Sequence, residues 1–164
     1  MFLPGQVSGS YVRKGGPEGP PDPNHYVARS ESGGVSAEIA AYRAPGFKPG
    51  ISEAQLLEAY EKSFVTKPLK YDVTDKKQAT LGGQTGLEIH VTEKPDLWDD
   101  TPDKAQFFKD KNDQERERIA REGKRIVTFV VVKGEWSYVI QLVGKVQEPD
   151  AVTVKTVADS ITFN

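Results

Sequence analysis

Two consecutive runs in the last third of the chain leave it little choice of fold. Lys124–Lys133 reads KRIVTFVVVK, and Glu135–Lys145 reads EWSYVIQLVGK after a turn at Lys133-Gly134. Val and Ile lose rotamer freedom in a helix and pack well on a pleated surface. In the second run Trp136, Tyr138, Ile140 and Leu142 fall on one face, with Ser137 and Gln141 on the other. Alternation with period two is the mark of a strand, so the stretch predicts a long antiparallel hairpin.

The rest of the chain reads as further hairpins and helices. His25–Ser30 is a strand stopped by Ser32-Gly33-Gly34, and Val35–Arg43 alternates Val35, Ala37, Ile39 and Ala41 against Ser36 and Glu38. The Gly-Gly pair between them predicts a hairpin. Ser52 with Gln55 three residues on has the capping-box spacing. Leu56, Leu57, Tyr60 and Phe64 then form an apolar stripe, and Pro68 stops the helix, predicted over 52–65. Leu69–Thr74 and Lys77–Leu81 read as short strands, and 82–86, GGQTG, as a tight turn. Leu87–Thr92 alternates, with Leu87, Ile89 and Val91 inward and Glu88, His90 and Thr92 outward. Pro149-Asp150 opens a last helix whose Val154, Val157, Ala158 and Ile161 share one face.

Residues 1–24 behave differently. Ten of the 24 are Gly or Pro, which excludes a regular helix and leaves an extended segment with at most an edge strand at Phe2-Leu3. We read 1–24 as an extended part of the domain and 25–164 as a single α+β domain. Its antiparallel sheet of about six strands is covered by two main helices, and 93–123 is a charged loop and helix insertion. That insertion carries ten acidic and seven basic residues. Thr101-Pro102-Asp103 reads as its helix start and Gly123 as the stop.

Composition excludes several function classes. The chain has no cysteine, so disulfide frameworks, zinc–thiolate sites and cysteine nucleophiles are out. Its two histidines, His25 and His90, are too few for a histidine-rich metal site, and a net charge of −2 gives no basic excess for nucleic acid. No window of about 18 apolar residues predicts a membrane-spanning helix.

Each candidate site has a plain alternative. The 82–86 glycines lack both the following helix and the lysine that a phosphate loop needs, so a hairpin turn is preferred. Asp96, Asp99, Asp100 and Asp103 crowd round Trp98, but their spacing fits no calcium loop. Trp98 is either folded onto the core or a partner-contact anchor; Asp96, Trp98, Asp99 and Asp100 together form the candidate contact surface. Mixed charges over 113–122, with Glu117 four residues before Arg121, read as a solvated helix face. His90 beside Glu88 reads as a surface or helix-covered histidine. A buried His90 bonded to a carboxylate would instead favour a hydrolase.

The element order resembles the Mog1/PsbP-like group, including DcrB-like lipoprotein domains of bacteria. The resemblance is carried by Phe2-Leu3-Pro4-Gly5, the helix after the first hairpin, the strand-turn-strand at 81–88, the Arg125–Leu142 hairpin, and the closing Ser160-Ile161-Thr162-Phe163. The 93–123 stretch is longer than the family's usual connection. The resemblance implies a binding or assembly module with no shared active site, so no functional residue transfers.

The sequence is therefore read as a non-catalytic module that binds another protein, with no catalytic residue, no metal and no cofactor. It is placed outside the cytoplasm, periplasmic or envelope-associated, in preference to inside. The alternatives are a small-molecule or lipid carrier with a pocket between sheet and helices, and a hydrolase around His90.

Overall fold

The computed structural model describes residues 25–32, 34–44, 46–65, 70–99, 101–145 and 147–163. The 1–24 segment, with its expected edge strand, and Asp100 lie outside these. In chain order the elements are β1 (His25–Ser32), β2 (Val35–Arg43), α1 (Glu53–Val65), β3 (Tyr71–Leu81), β4 (Gln84–Glu93), α2 (Ala105–Glu122), β5 (Lys124–Lys133), β6 (Trp136–Lys145) and α3 (Ala151–Ser160). All strands pair antiparallel in one sheet of order β1-β2-β6-β5-β4-β3.

The α+β class and the antiparallel sheet stand. Among the described residues there are three helices, two of them packed on the sheet. α1 lies on one face, where Leu56 and Leu57 meet Leu87, Ile89, Val130, Val132 and Val139. α3 lies on the other, where Val154, Val157 and Ile161 meet Val127, Phe129, Ile140 and Leu142. Burial of these side chains supplies the main driving force, about 1.5–3 kcal/mol for each large apolar group.

The helix ends show why each begins where it does. Gln55 N–H donates to Ser52 Oγ at 3.2 Å while Ser52 N–H donates to Gln55 Oε1 at 3.0 Å, a complete capping box. Asp150 accepts from Thr153 N–H at 2.7 Å and caps α3. α2 starts later than the Pro102 signal predicts, because Thr101 C=O takes both Lys104 N–H and Ala105 N–H in a turn.

The region before β4 also differs. The two short strands expected over 69–81 are one strand, Tyr71–Leu81, with a register shift between Val73 and Asp75. The turn is the pair Gly82-Gly83, with φ of 58° and 79°, so Gln84 already belongs to β4. Positive φ at both positions fits the twist of a two-residue hairpin. Gly82 is further constrained: a Cβ there would stand 2.8 Å from the Phe163 ring.

Candidate functional site

After β4, residues 94–98 together with Lys70 and one side of α2 line a cleft of about 830 Å³. Lys70, Lys94, Pro95, Trp98 and Lys111 line it, together with the Glu93, Glu115 and Arg118 group.

Trp98 is 56% exposed, yet its backbone is fixed. Trp98 N–H donates to Asn112 Oδ1 at 2.8 Å, and Asn112 Nδ2 donates back to Trp98 C=O at 2.9 Å. Asn112 is the buried residue of α2. Its amide satisfies two backbone groups that strand pairing does not reach. The Trp98 ring stacks on Phe108 at 5.9 Å, and Lys111 Nζ lies 4.4 Å from the ring centroid, within cation–π range.

Arg118 ties the helix to the sheet end. Its Nε and Nη2 donate to the two oxygens of Glu115, each at 2.8 Å, and Nη2 also donates to Glu93 at 3.0 Å. Glu93 further accepts from Lys124 N–H at 3.0 Å, and Glu115 from Asp96 N–H at 3.2 Å. The Arg118 fork and the Asp96 N–H hold the Glu115 carboxyl down at about 2. The Lys124 amide, then Arg118, keeps Glu93 below its ordinary value.

Of the four residues proposed as a contact surface, Trp98 and Asp96 line the cleft. Asp99 does not: it accepts from Thr101 Oγ1 at 2.6 Å and pairs with Lys104 at 3.0 Å, which lowers its carboxyl below the usual range. Asp100 lies outside the described residues. Sequence reasoning missed Asn112, Lys70 and Arg118. Asn112 stands fourteen residues from the backbone it clamps, and no spacing rule connects them.

The outward placement of Glu88 and His90 is corrected. Both are buried, at 8% and 9% exposure, because both faces of the sheet carry a packed layer. Directly paired residues share a face, so Asp75, Lys77, Glu88, His90 and Arg125 all lie on the α3 side. His90 Nε2 meets Glu88 Oε1 at 2.6 Å, and Arg125 Nη2 approaches His90 Nδ1 at 3.5 Å. Lys77 completes the cluster with a 3.1 Å contact to Glu88. A buried His90 on a carboxylate is the geometry that would favour a hydrolase. Neither Glu88 nor His90 lines the Trp98 cleft.

A second cleft of about 500 Å³ runs between α1 and the β3–β4 end. Its lining is mixed: Glu53, Glu58 and Glu61 stand beside the apolar Leu57, Leu87 and Val132. Among the described residues no group of three His, Asp or Glu is arranged to hold a metal ion. No described helix is long and apolar enough to cross a membrane. No protein-family model matches the chain, and a search of the curated proteins returns no match.

Proposed function

We propose that the protein is a non-catalytic binding or assembly module whose contact surface is the Trp98 cleft and the adjoining side of α2. One observation carries the reading: Trp98 is largely exposed while its backbone is clamped by Asn112. A solvated aromatic held in place has little freedom left to lose on binding, and such residues are typical binding hot spots. Phe107, 83% exposed, stands one helical turn from Lys111 and extends the same apolar surface. A location outside the cytoplasm, periplasmic or envelope-associated, belongs to the same proposal, supported by the resemblance to Mog1/PsbP-like domains.

The test is photo-crosslinking of the full chain in its source cells, with p-benzoylphenylalanine in place of Phe107. A discrete adduct is expected. Trp98→Ala should reduce it at least tenfold, a loss of about 1.4 kcal/mol or more, whereas Val152→Ala, at an exposed residue of α3, should leave it unchanged. Equal adducts in all three chains would refute the surface.

A further inference from the structure

The charge the Trp98 cleft offers a visitor differs from that of the acidic loop beside it. Glu93 and Glu115 line the cleft, but their oxygens are taken up by Arg118 and by the backbone N–H groups of Lys124 and Asp96. Asp99 is turned to Thr101 and Lys104. The lining also carries three lysines, Lys70, Lys94 and Lys111, of which Lys94 pairs with Asp72 at 3.9 Å; that leaves Lys70 and Lys111 against the carboxylate of Asp96. Among the described residues neither lysine pairs with a carboxylate. Lys111 sits over the Trp98 ring, so a cation arriving at that ring face meets a like charge, whereas an anion pairs with the ammonium already there.

We infer that the cleft takes an acidic, extended segment of a partner protein, with carboxylates reaching Lys70 and Lys111 and an apolar side chain laid against Trp98 and Phe107. This rests on the contact-surface reading above and adds the partner's chemistry. The length follows from the helix. Phe107, Lys111, Gln114 and Arg118 recur at helical spacing along one side of α2. Eleven residues of rise at about 1.5 Å span about 16 Å. An extended chain covers that with about five residues at about 3.3 Å each. The cleft volume of about 830 Å³ is within the range of specific ligand sites.

The test is titration of the isotope-labelled full chain with two short peptides of equal length. One is built of Asp and Glu around a central Leu; the other carries Lys at every acidic position. The acidic peptide is expected to shift the Trp98 indole signal and the 107–118 amides saturably, and to weaken as salt is raised. The Lys70→Glu/Lys111→Glu double variant should bind it at least tenfold more weakly, and Lys70→Arg/Lys111→Arg should restore binding. All four changes are on exposed side chains, so far-UV circular dichroism should stay that of the parent. The inference fails if the Lys peptide binds as well or better, if the acidic peptide gives no shift at millimolar concentration, or if the charge-reversed chain binds it unchanged. Should the peptide fail while Trp98→Ala still removes the Phe107 cross-link, the surface stands and its acidic partner falls. Should the cross-link also ignore Trp98, the surface falls with it.

Discussion

α2 and the β5–β6 hairpin are neighbours in the chain, separated only by Gly123, and they are held in opposite ways. The hairpin buries Val127, Thr128, Phe129, Val130, Val131 and Val132 in succession, one face toward α3 and the other toward α1. α2 is 18 residues long, yet the residue it buries is Asn112. Its ties are the Asn112 clamp on Trp98, the Arg118 fork, and exposed pairs such as Lys109 with Asp113. Apolar burial scales with area and sets how hard the fold is to melt. Hydrogen bonds between polar groups add modest net energy but fix direction. The contrast therefore separates a part that makes the protein stable from a part that aims a side chain.

Four experiments press on this contrast. The largest effect is expected at the hairpin: Phe129→Ala should cost about 3–5 kcal/mol in denaturant unfolding, since its ring is fully buried between strand neighbours and α3. A loss below about 1 kcal/mol would mean that stability does not reside in this layer. Asn112→Ala should cost less, about 1–2 kcal/mol, for two backbone groups losing their partner. It should also change the near-ultraviolet circular dichroism of Trp98; an unchanged aromatic spectrum would show that the clamp does not position the ring.

Acid should loosen α2 before it melts the sheet. The Glu115 carboxyl is held at about 2, below its ordinary value of 4.5. A group whose value falls on folding contributes stability above the unfolded value and loses it as pH drops toward the folded one. Amide shifts of Asp96 and of 112–118 should therefore move between about pH 4.5 and 2 while β5 amides hold their native positions. Simultaneous loss would make α2 and the sheet one cooperative unit. The smallest effect belongs to Phe107→Ser, which should stay within about 0.5 kcal/mol of the parent. A drop beyond about 1 kcal/mol would place that ring in a packed layer and blur the distinction.

How much was legible in the sequence follows the same divide. Local signals read well: the Ser52–Gln55 box, the Asp150 cap and the alternation in β6 each act within a few residues. Alternation in β4 places Glu88 and His90 outward but does not say whether a second layer covers that face. Helices on both sides of the sheet cover the second face, and the uninterrupted VVV of β5 was the signal for it. At the candidate site Trp98 and Asp96 were found by residue type. The turning of Asp99 toward Lys104 and the Asn112 clamp depend on where a helix comes to lie, which no short window contains.

The strand order has a consequence for the sequence of assembly. β3, β4, β5 and β6 follow one another in space as in the chain, so they can form as a meander from nearby partners. β1 and β2 pair with each other locally, but they reach the rest of the sheet through β2 on β6, where Ser36 meets Val143 more than a hundred residues away. Closing so long a loop is costly in entropy and slows pairing. The N-terminal hairpin is thus expected to dock last, with amide exchange faster in β2 than in β5. When that one seam opens, the free side of β6 is bared as a template for any other strand that finds it.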